Sequence, residues 1–333
     1  MTDTSLYHQL SEAIGVGDSK IIPEIFKMLA NENEAKVLLA AAPPATVEEI
    51  SEKTGIPGDE IEKMIDPLFK KGLIFMSKKA GPTRYYRVRQ LLQFHDATIL
   101  APEMPPEFFE LWRKYHRTEF KEHHKRIESV LPKSAVRVIP VNIALKPDAR
   151  IVAFDDVKQI VEEANNLAVT KCTCRVVDGS CGKPVEVCIQ VNRAADYALQ
   201  RGTGRKLTKE ETIDLLKMCE EEGLVHTTGN SRTIGHVICN CCSDCCINWP
   251  GPRTSPVNFT APSRFVAVVD PDLCISCETC LDRCYFDAIT MDGENGTALV
   301  NEENCMGCGL CAVTCPSEAM NLKEARSEDF VPN

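Results

Sequence analysis

Apolar positions in the first hundred residues recur at helical spacing. Between residues 20 and 41 they are Ile25, Met28, Leu29, Val37 and Leu38, and the polar stretch Asn31 to Glu34 divides that run into two predicted helices. Thr46 and Glu49 form a capping box, in which each side chain satisfies the other residue's free amide, and it predicts a short helix from Val47 to Lys53. Thr54-Gly55-Ile56-Pro57 reads as a turn. A second helix is predicted from Asp59 to Lys71 with Gly72 as its stop, and Pro67 inside it should bend it or shift its hydrogen-bond ladder. The period then changes. Leu73 to Met76 reads as a strand, Lys78 to Thr83 as a turn and Tyr85 to Val88 as a return strand.

This order of helix, helix–turn–helix and hairpin resembles the winged helix of small bacterial regulators, with the likeness carried by Ala45 to Val88 and a domain expected over residues 1–100. The helix that would enter a DNA groove holds Asp59, Glu60, Glu62 and Asp66 against Lys63, Lys70 and Lys71, so it is mildly acidic. Groove-binding helices usually present basic or amide side chains. The wing, with Lys78, Lys79, Arg84, Arg87 and Arg89, is basic and could meet phosphate. Packing or partner docking is therefore favoured over DNA binding. A connector at 101–131 follows, predicted as one long helix from 106 to 131. Phe108, Phe109, Trp112, Tyr115 and Ile127 supply its apolar stripe. His116, His123 and His124 sit among Lys114, Arg117, Lys121, Lys125 and Arg126 and read as part of a solvated charged face.

The pattern of residues 132–248 is mixed. Val136 to Val141 predicts an edge strand limited by Pro140. Asp155 or Asp156 caps a helix running to about Asn166, a helix lies between Cys188 and Arg201, and the capping box Thr208/Glu211 opens a helix to Glu222, closed by Gly223. Residues 249–262 read as a stiff, proline-rich linker. In the last stretch, 263–325, strands are expected at Phe265 to Val269, Asp287 to Met291, Thr297 to Val300 and Ala319 to Leu322, and the residues from Ala325 onward as a solvated tail.

Cysteine changes this picture most. The chain has 18 in 333 residues. Cys274-x-x-Cys277-x-x-Cys280-x-x-x-Cys284 recurs 31 positions later as Cys305-x-x-Cys308-x-x-Cys311-x-x-x-Cys315-Pro316, and Asp270/Asn301 and Ala288/Ala319 keep that offset. A half-domain is thus repeated. The run resembles that of bacterial ferredoxins, which hold two [4Fe–4S] clusters and in which the fourth cysteine of each run reaches the other cluster. The resemblance assigns Cys274, Cys277, Cys280 and Cys315 to one cluster, and Cys305, Cys308, Cys311 and Cys284 to the second. Paired zinc knots explain such a doubled run poorly. One departure is Tyr285, which follows Cys284 where Pro316 follows Cys315. It restores an N–H near the sulfur and could separate the two potentials.

Nine further cysteines lie at the two ends of the middle module: Cys172, Cys174, Cys181 and Cys188, then Cys239, Cys241, Cys242, Cys245 and Cys246. The economical reading is that both ends meet around metal, as one or two more iron–sulfur clusters, with zinc or free thiols as the alternatives. Adjacent cysteines rarely point at one metal, so one of each Cys-Cys pair should face elsewhere. Arg175 beside the thiols would stabilise negative charge; a surface salt bridge is its other reading. His226 and His236 read as structural rather than as ligands, and Cys219 as a buried helix thiol.

Charge and composition narrow the function. A net charge of −10 argues against a generic nucleic-acid binder. The first ten residues are polar and lack the apolar core of a secretory signal, and no stretch approaches the length of a membrane span. The expectation is a cytoplasmic protein of an anaerobe, whose cysteines are metal ligands rather than bridges. The fold class is α+β: a winged-helix-like N-terminal domain, a mixed cysteine-rich middle domain and a C-terminal two-cluster ferredoxin-like domain. The whole arrangement is similar to multidomain 4Fe-4S-binding proteins of anaerobic bacteria and archaea, which combine a winged-helix-like segment, a Cys-x-Cys-Arg module, a Cys-Asn-Cys-Cys element and a terminal ferredoxin domain. The function expected is relay of single electrons between redox partner proteins, as a carrier or as a subunit of an oxidoreductase rather than a stand-alone enzyme. The alternatives are an iron–sulfur enzyme with its site in the middle module and a redox-sensing winged-helix regulator that binds DNA.

Overall fold

The computed structural model describes residues 5–77, 81–141, 155–233, 235–249 and 259–333. The chain mixes helix and sheet and divides into two compact units. The first comprises Met1–Arg126 with the short segments Val176–Asp178 and Arg201–Thr203; the second comprises Ile127–Arg175, Gly179–Gln200 and Gly204–Asn333.

In the first unit the helices are α1 (Leu6–Ala13), α2 (Ile22–Leu29), α3 (Glu32–Ala40), α4 (Val47–Thr54) and α5 (Gly58–Lys70), followed by the hairpin β1 (Ile74–Ser77) and β2 (Arg84–Arg87), then α6 (Leu91–Thr98), α7 (Pro106–Thr118) and the start of α8 (Phe120–Val130). The break between α2 and α3 falls at the polar stretch because Asn31 caps α3, in a reciprocal box with Glu34. The box at Thr46 and Glu49 opens α4 in the same way. Pro67 is absorbed within α5. Ile22, Ile25, Phe26, Leu29, Leu38 and Phe94 make the core, with Phe26 and Phe94 stacked at 4.2 Å.

Two expectations fail in this unit. The long helix of 106–131 is two helices, interrupted at Glu119, whose carboxylate accepts hydrogen bonds from Ser19 Oγ (2.5 Å) and the Lys20 amide (3.2 Å). His123 is buried rather than on a solvated face: Nδ1 meets the Tyr115 hydroxyl at 2.8 Å and Nε2 lies 3.3 Å from Asp18. The wing is also less available to phosphate than its composition suggests. Arg84 makes a two-pronged pair with Glu49 at 2.9 Å on each prong, Arg87 donates to the carbonyls of Ala13 and Val88, and Arg89 lies 4.2 Å over the Tyr86 ring. Lys78 and Lys79 lie outside the described residues.

The second unit is built on β3 (Val136–Val138), α9 (Val157–Glu163), β4 (Leu167–Lys171), α10 (Thr173–Val177), β5 (Glu186–Val191), α11 (Arg193–Arg201), β6 (Gly204–Lys206), α12 (Lys209–Glu221), β7 (Val225–Gly229), β8 (Val237–Cys241) and β9 (Thr260–Ala261). The strands form a seven-stranded sheet in the order β6-β4-β5-β8-β7-β3-β9, antiparallel except where β9 runs parallel to β3. Asp156, not Asp155, caps α9, and that helix stops at Glu163. Residues 250–258 of the expected linker lie outside the described residues, while Thr260 and Ala261 add the edge strand.

The C-terminal stretch holds β10 (Phe265–Val269), α13 (Thr279–Asp282), β11 (Ile289–Met291), β12 (Ala298–Val300), α14 (Leu310–Val313) and β13 (Met320–Glu324). β10 pairs with β13 and β11 with β12, both antiparallel. Its core is shared with the sheet, since Val138, Val141 and Val225 pack into one apolar cluster with Phe265, Leu310 and Leu322. The end of the chain is not a loose tail. Val331 is buried, Arg232 donates to its carbonyl at 2.9 Å, and Arg326 donates to the carbonyls of Ser263 and Phe265.

Candidate metal centre

The repeated half-domain is visible in the backbone as well as in the cysteines. Ser276 and Glu278 adopt left-handed conformations (φ 57° and 61°), and Gly307 and Gly309, 31 positions later, do the same (φ 64° and 80°). Asp287 and Glu318 form a third matched pair (φ 51° and 56°). These turns curl each Cys-x-x-Cys-x-x-Cys loop around a hollow. One cavity is lined by Cys274, Cys277, Cys280 and Cys315; a second by Cys284, Cys305, Cys308 and Cys311. The fourth cysteine of each run thus faces the cavity of the other run.

The two sets differ in environment. Cys277 is exposed, and its thiol is drawn down by the hydrogen bond from the Thr279 hydroxyl (3.4 Å). Leu273 and Ile275 beside it are also exposed. In the second set Cys305 and Cys311 are buried, and burial, with Cys305 and Cys284 close by, pushes Cys308 up to about 12. Burial likewise raises Cys280, with Cys277, Cys274 and Cys315 as its charged neighbours. Thiolates crowded in this way repel one another, and a cationic iron core between them relieves that repulsion, so the donor sets fit the group. Backbone amides already point at the sulfurs: Ala267 N–H donates to Cys305 (3.3 Å) and Ala288 N–H to Cys284 (3.4 Å). Sequence reasoning missed these amides, which carry no side-chain signal. Tyr285 packs edge-on against Trp249, which stacks on Phe286 at 5.2 Å.

In the middle module the two ends do meet. Strand pairing sets Cys188 on β5 beside Cys239 on β8, and strand alternation puts Cys241 on the same face as Cys239. Neighbouring thiols link Cys188, Cys239, Cys241, Cys246, Cys174 and Cys172 in succession. The other three, Cys181, Cys242 and Cys245, form a separate group with their sulfurs within 4.8 Å of one another. Each Cys-Cys pair is therefore split between the two groups. Arg175 is buried rather than at the surface, and donates to the carbonyls of Pro184 (2.8 Å) and Asn240 (2.6 Å). His226 is structural: Nδ1 is 2.6 Å from Asn240 Oδ1 and Nε2 is 3.3 Å from Glu220. Cys219 is a fully buried thiol of α12, pushed up to about 12 by that burial.

Comparison with known proteins decides the terminal region. The family described as 4Fe-4S dicluster domain matches residues 267–322. The pyruvate synthase subunit PorD of Methanothermobacter marburgensis is 31% identical over 76 residues, which is 22% of this chain and 88% of that subunit. The chain belongs to the 4Fe-4S dicluster ferredoxins. The PorD subunit of Methanocaldococcus jannaschii is 36% identical over 70 residues, covering 21% of this dicluster protein and 80% of the relative. The archaeal-type glutamate synthase of Dehalococcoides mccartyi is 36% identical over 62 residues, 19% of this chain and only 12% of that enzyme, so the dicluster protein spans a small part of some of the proteins it matches. At the other end, the family described as sugar-specific transcriptional regulator TrmB matches residues 30–90, in line with the winged-helix pattern. No solved structure matches. The C-terminal region of this dicluster protein is an iron–sulfur electron-transfer domain, and among the described residues no helix is long and apolar enough to cross a membrane.

Proposed function

We propose that the chain relays single electrons through two [4Fe–4S] clusters, one on Cys274, Cys277, Cys280 and Cys315 and the other on Cys305, Cys308, Cys311 and Cys284. A further cluster, in this reading, uses thiols of the middle module drawn from Cys172, Cys174, Cys188, Cys239, Cys241 and Cys246. When bound, such clusters supply one-electron exchange. The protein's own residues supply thiolate ligands and amides aimed at sulfur.

The observation that carries the relay is the asymmetry of the two cavities. The first includes the exposed Cys277, flanked by exposed Leu273 and Ile275, and suits exchange with a partner protein. The second is tied inward, since the Val141 amide, three residues past β3, donates to the Cys308 carbonyl at 2.9 Å and Ser263 Oγ donates to the Gly307 carbonyl at 2.8 Å. An inner cluster there would sit against the sheet that carries the middle thiols. The partner is read as a larger oxidoreductase in the cytoplasm, a role in keeping with relatives named as pyruvate synthase subunits. The domains are read as 1–100, 101–131, 132–248, 249–262 and 263–325. Coulometric titration of the anaerobically purified full chain tests the relay. At least two electrons per chain should be taken up in separate one-electron steps; no reversible uptake at all would end the proposal.

A second reading, a redox-sensing DNA-binding regulator, is favoured by the match to the TrmB family at residues 30–90. Against it stand the acidic face of α5 and the commitment of Arg84 to Glu49. Sequence-selective binding that weakens with salt, measured by fluorescence anisotropy in both oxidation states, would support it; absence of such binding in both states would remove it.

A further inference from the structure

The middle thiols are not one site. We infer that Cys181, Cys242 and Cys245 form a mononuclear site for a thiophilic d¹⁰ cation, zinc by preference, separate from any cluster on the remaining six cysteines. This inference goes beyond the relay and does not depend on it.

Spacing is the first argument. Sulfurs bound tetrahedrally to one zinc at about 2.3 Å stand roughly 3.8 Å apart. A four-iron cube holds its thiolates further out, because each binds a different iron. Among the described residues, Cys181, Cys242 and Cys245 are the one group of three or more potential ligands whose donor atoms all lie within 4.8 Å of one another. The terminal thiols, set around their two hollows, do not meet that limit. Nor do the six other middle thiols, which neighbour one another in succession.

The surroundings are built for such a site. Cys242 and Cys245 are buried in one apolar cluster with Val187, Cys219 and Leu224, and Cys181 is half-buried at its edge. Three thiolates and one divalent ion leave a net charge of −1. Arg175, 3% exposed and fixed by the carbonyls of Pro184 and Asn240, lies close enough to Cys242 and Cys181 to supply the compensating charge. Ser180 Oγ lies 3.7 Å from Cys245 Sγ and completes the polar lining. The ligands come from the loop before β5 and the loop after β8, so the ion would clasp together the two ends of the module. Three protein ligands leave one coordination position for a small exchangeable ligand, and soft thiolates select zinc or Cu(I) over hard cations.

The test is metal analysis of the full chain, purified anaerobically and washed with a mild chelator. One zinc per chain is expected in addition to iron, with zinc-edge X-ray absorption showing at least three sulfurs at about 2.3 Å. Cys181→Ser and Cys245→Ser should each lose that zinc while iron content and the reduced EPR spectrum stay unchanged. Cys241→Ser, in the other thiol group, should keep it. Iron lost together with zinc in the Cys181→Ser and Cys245→Ser proteins, or wild-type protein with no zinc, would overturn the inference. If the variants do not fold, the X-ray absorption of the wild type decides alone: zinc with fewer than three sulfur neighbours contradicts the site.

Discussion

Gly307 shows how closely the cluster loops are specified residue by residue. Its φ is 64°, and a Cβ added there would stand 2.0 Å from the Phe265 carbonyl oxygen and 2.3 Å from Ser263 Oγ. Its counterpart Ser276 tolerates a side chain at the same left-handed conformation. The repeat therefore carries the same backbone with different freedom in its two halves. Gly307→Ala should destabilise the protein by at least about 1–3 kcal/mol, the usual cost of a strained backbone conformation, and should lower the iron retained by the inner set. Thermal unfolding together with iron analysis, both under anaerobic conditions, checks this; a variant with wild-type stability and iron would show that the loop can shift freely. The grouping of the eight terminal cysteines around two hollows was legible in the sequence, because it follows from their repeated spacing. The amides of Ala267 and Ala288 that face Cys305 and Cys284 were not, because any residue supplies an amide. The burial of Arg175 was equally hidden, since an arginine beside cysteines looks the same at a surface as it does in a core.

Elements were readable wherever a local signal defined them. The boxes at Thr46 and Thr208 open helices as their spacing predicts. Thr208→Ala should cost about 1 kcal/mol through the loss of its bond to the Glu211 amide, read as a lower thermal midpoint with cluster spectra unchanged. A midpoint equal to the wild type would mean that tertiary packing alone fixes the start of α12. Signals fail where tertiary contacts intervene. The single helix expected over 106–131 breaks because Glu119 is drawn to Ser19 and Lys20, residues about a hundred positions away. The position of Asp155 suits a helix cap, yet it is buried between Arg137 (3.5 Å) and Arg264 (3.2 Å), with Arg264 also 2.7 Å from Glu324. Burial outweighs both arginines and lifts the Asp155 carboxyl to about 6. Its unfolded value is about 3.9, so between these two pH values the folded state holds a proton that the unfolded state has released. Stability from this group is therefore full below about pH 4 and is lost as pH rises through about 6. Asp155→Asn should flatten that part of the stability–pH profile, measured by denaturant unfolding; an unchanged slope would show that Asp155 is ionised when folded.

At the scale of the whole molecule, the sequence separated its regions by chemistry better than by contact. The winged-helix pattern, the cysteine-rich middle and the dicluster repeat were all visible as composition and period. That the middle sheet and the terminal domain share a core was not, because Val138, Val141 and Val225 look like ordinary strand residues until Phe265 and Leu310 pack on them. Nor was the anchored chain end, whose short polar sequence hides the burial of Val331. The division of the nine middle cysteines into six and three also needed three dimensions. The sequence predicted that adjacent cysteines would diverge, but not which thiol goes where. Function follows from this arrangement only if the terminal cavities hold what their thiols are shaped for. Iron and acid-labile sulfide should therefore be counted in the anaerobically purified full chain, alongside low-temperature EPR after stepwise reduction. The account predicts about eight or more irons per chain, with a spectrum that changes from isolated to spin-coupled signals as both terminal clusters become reduced. Fewer than about eight irons per chain, or a single uncoupled signal at full reduction, would contradict it.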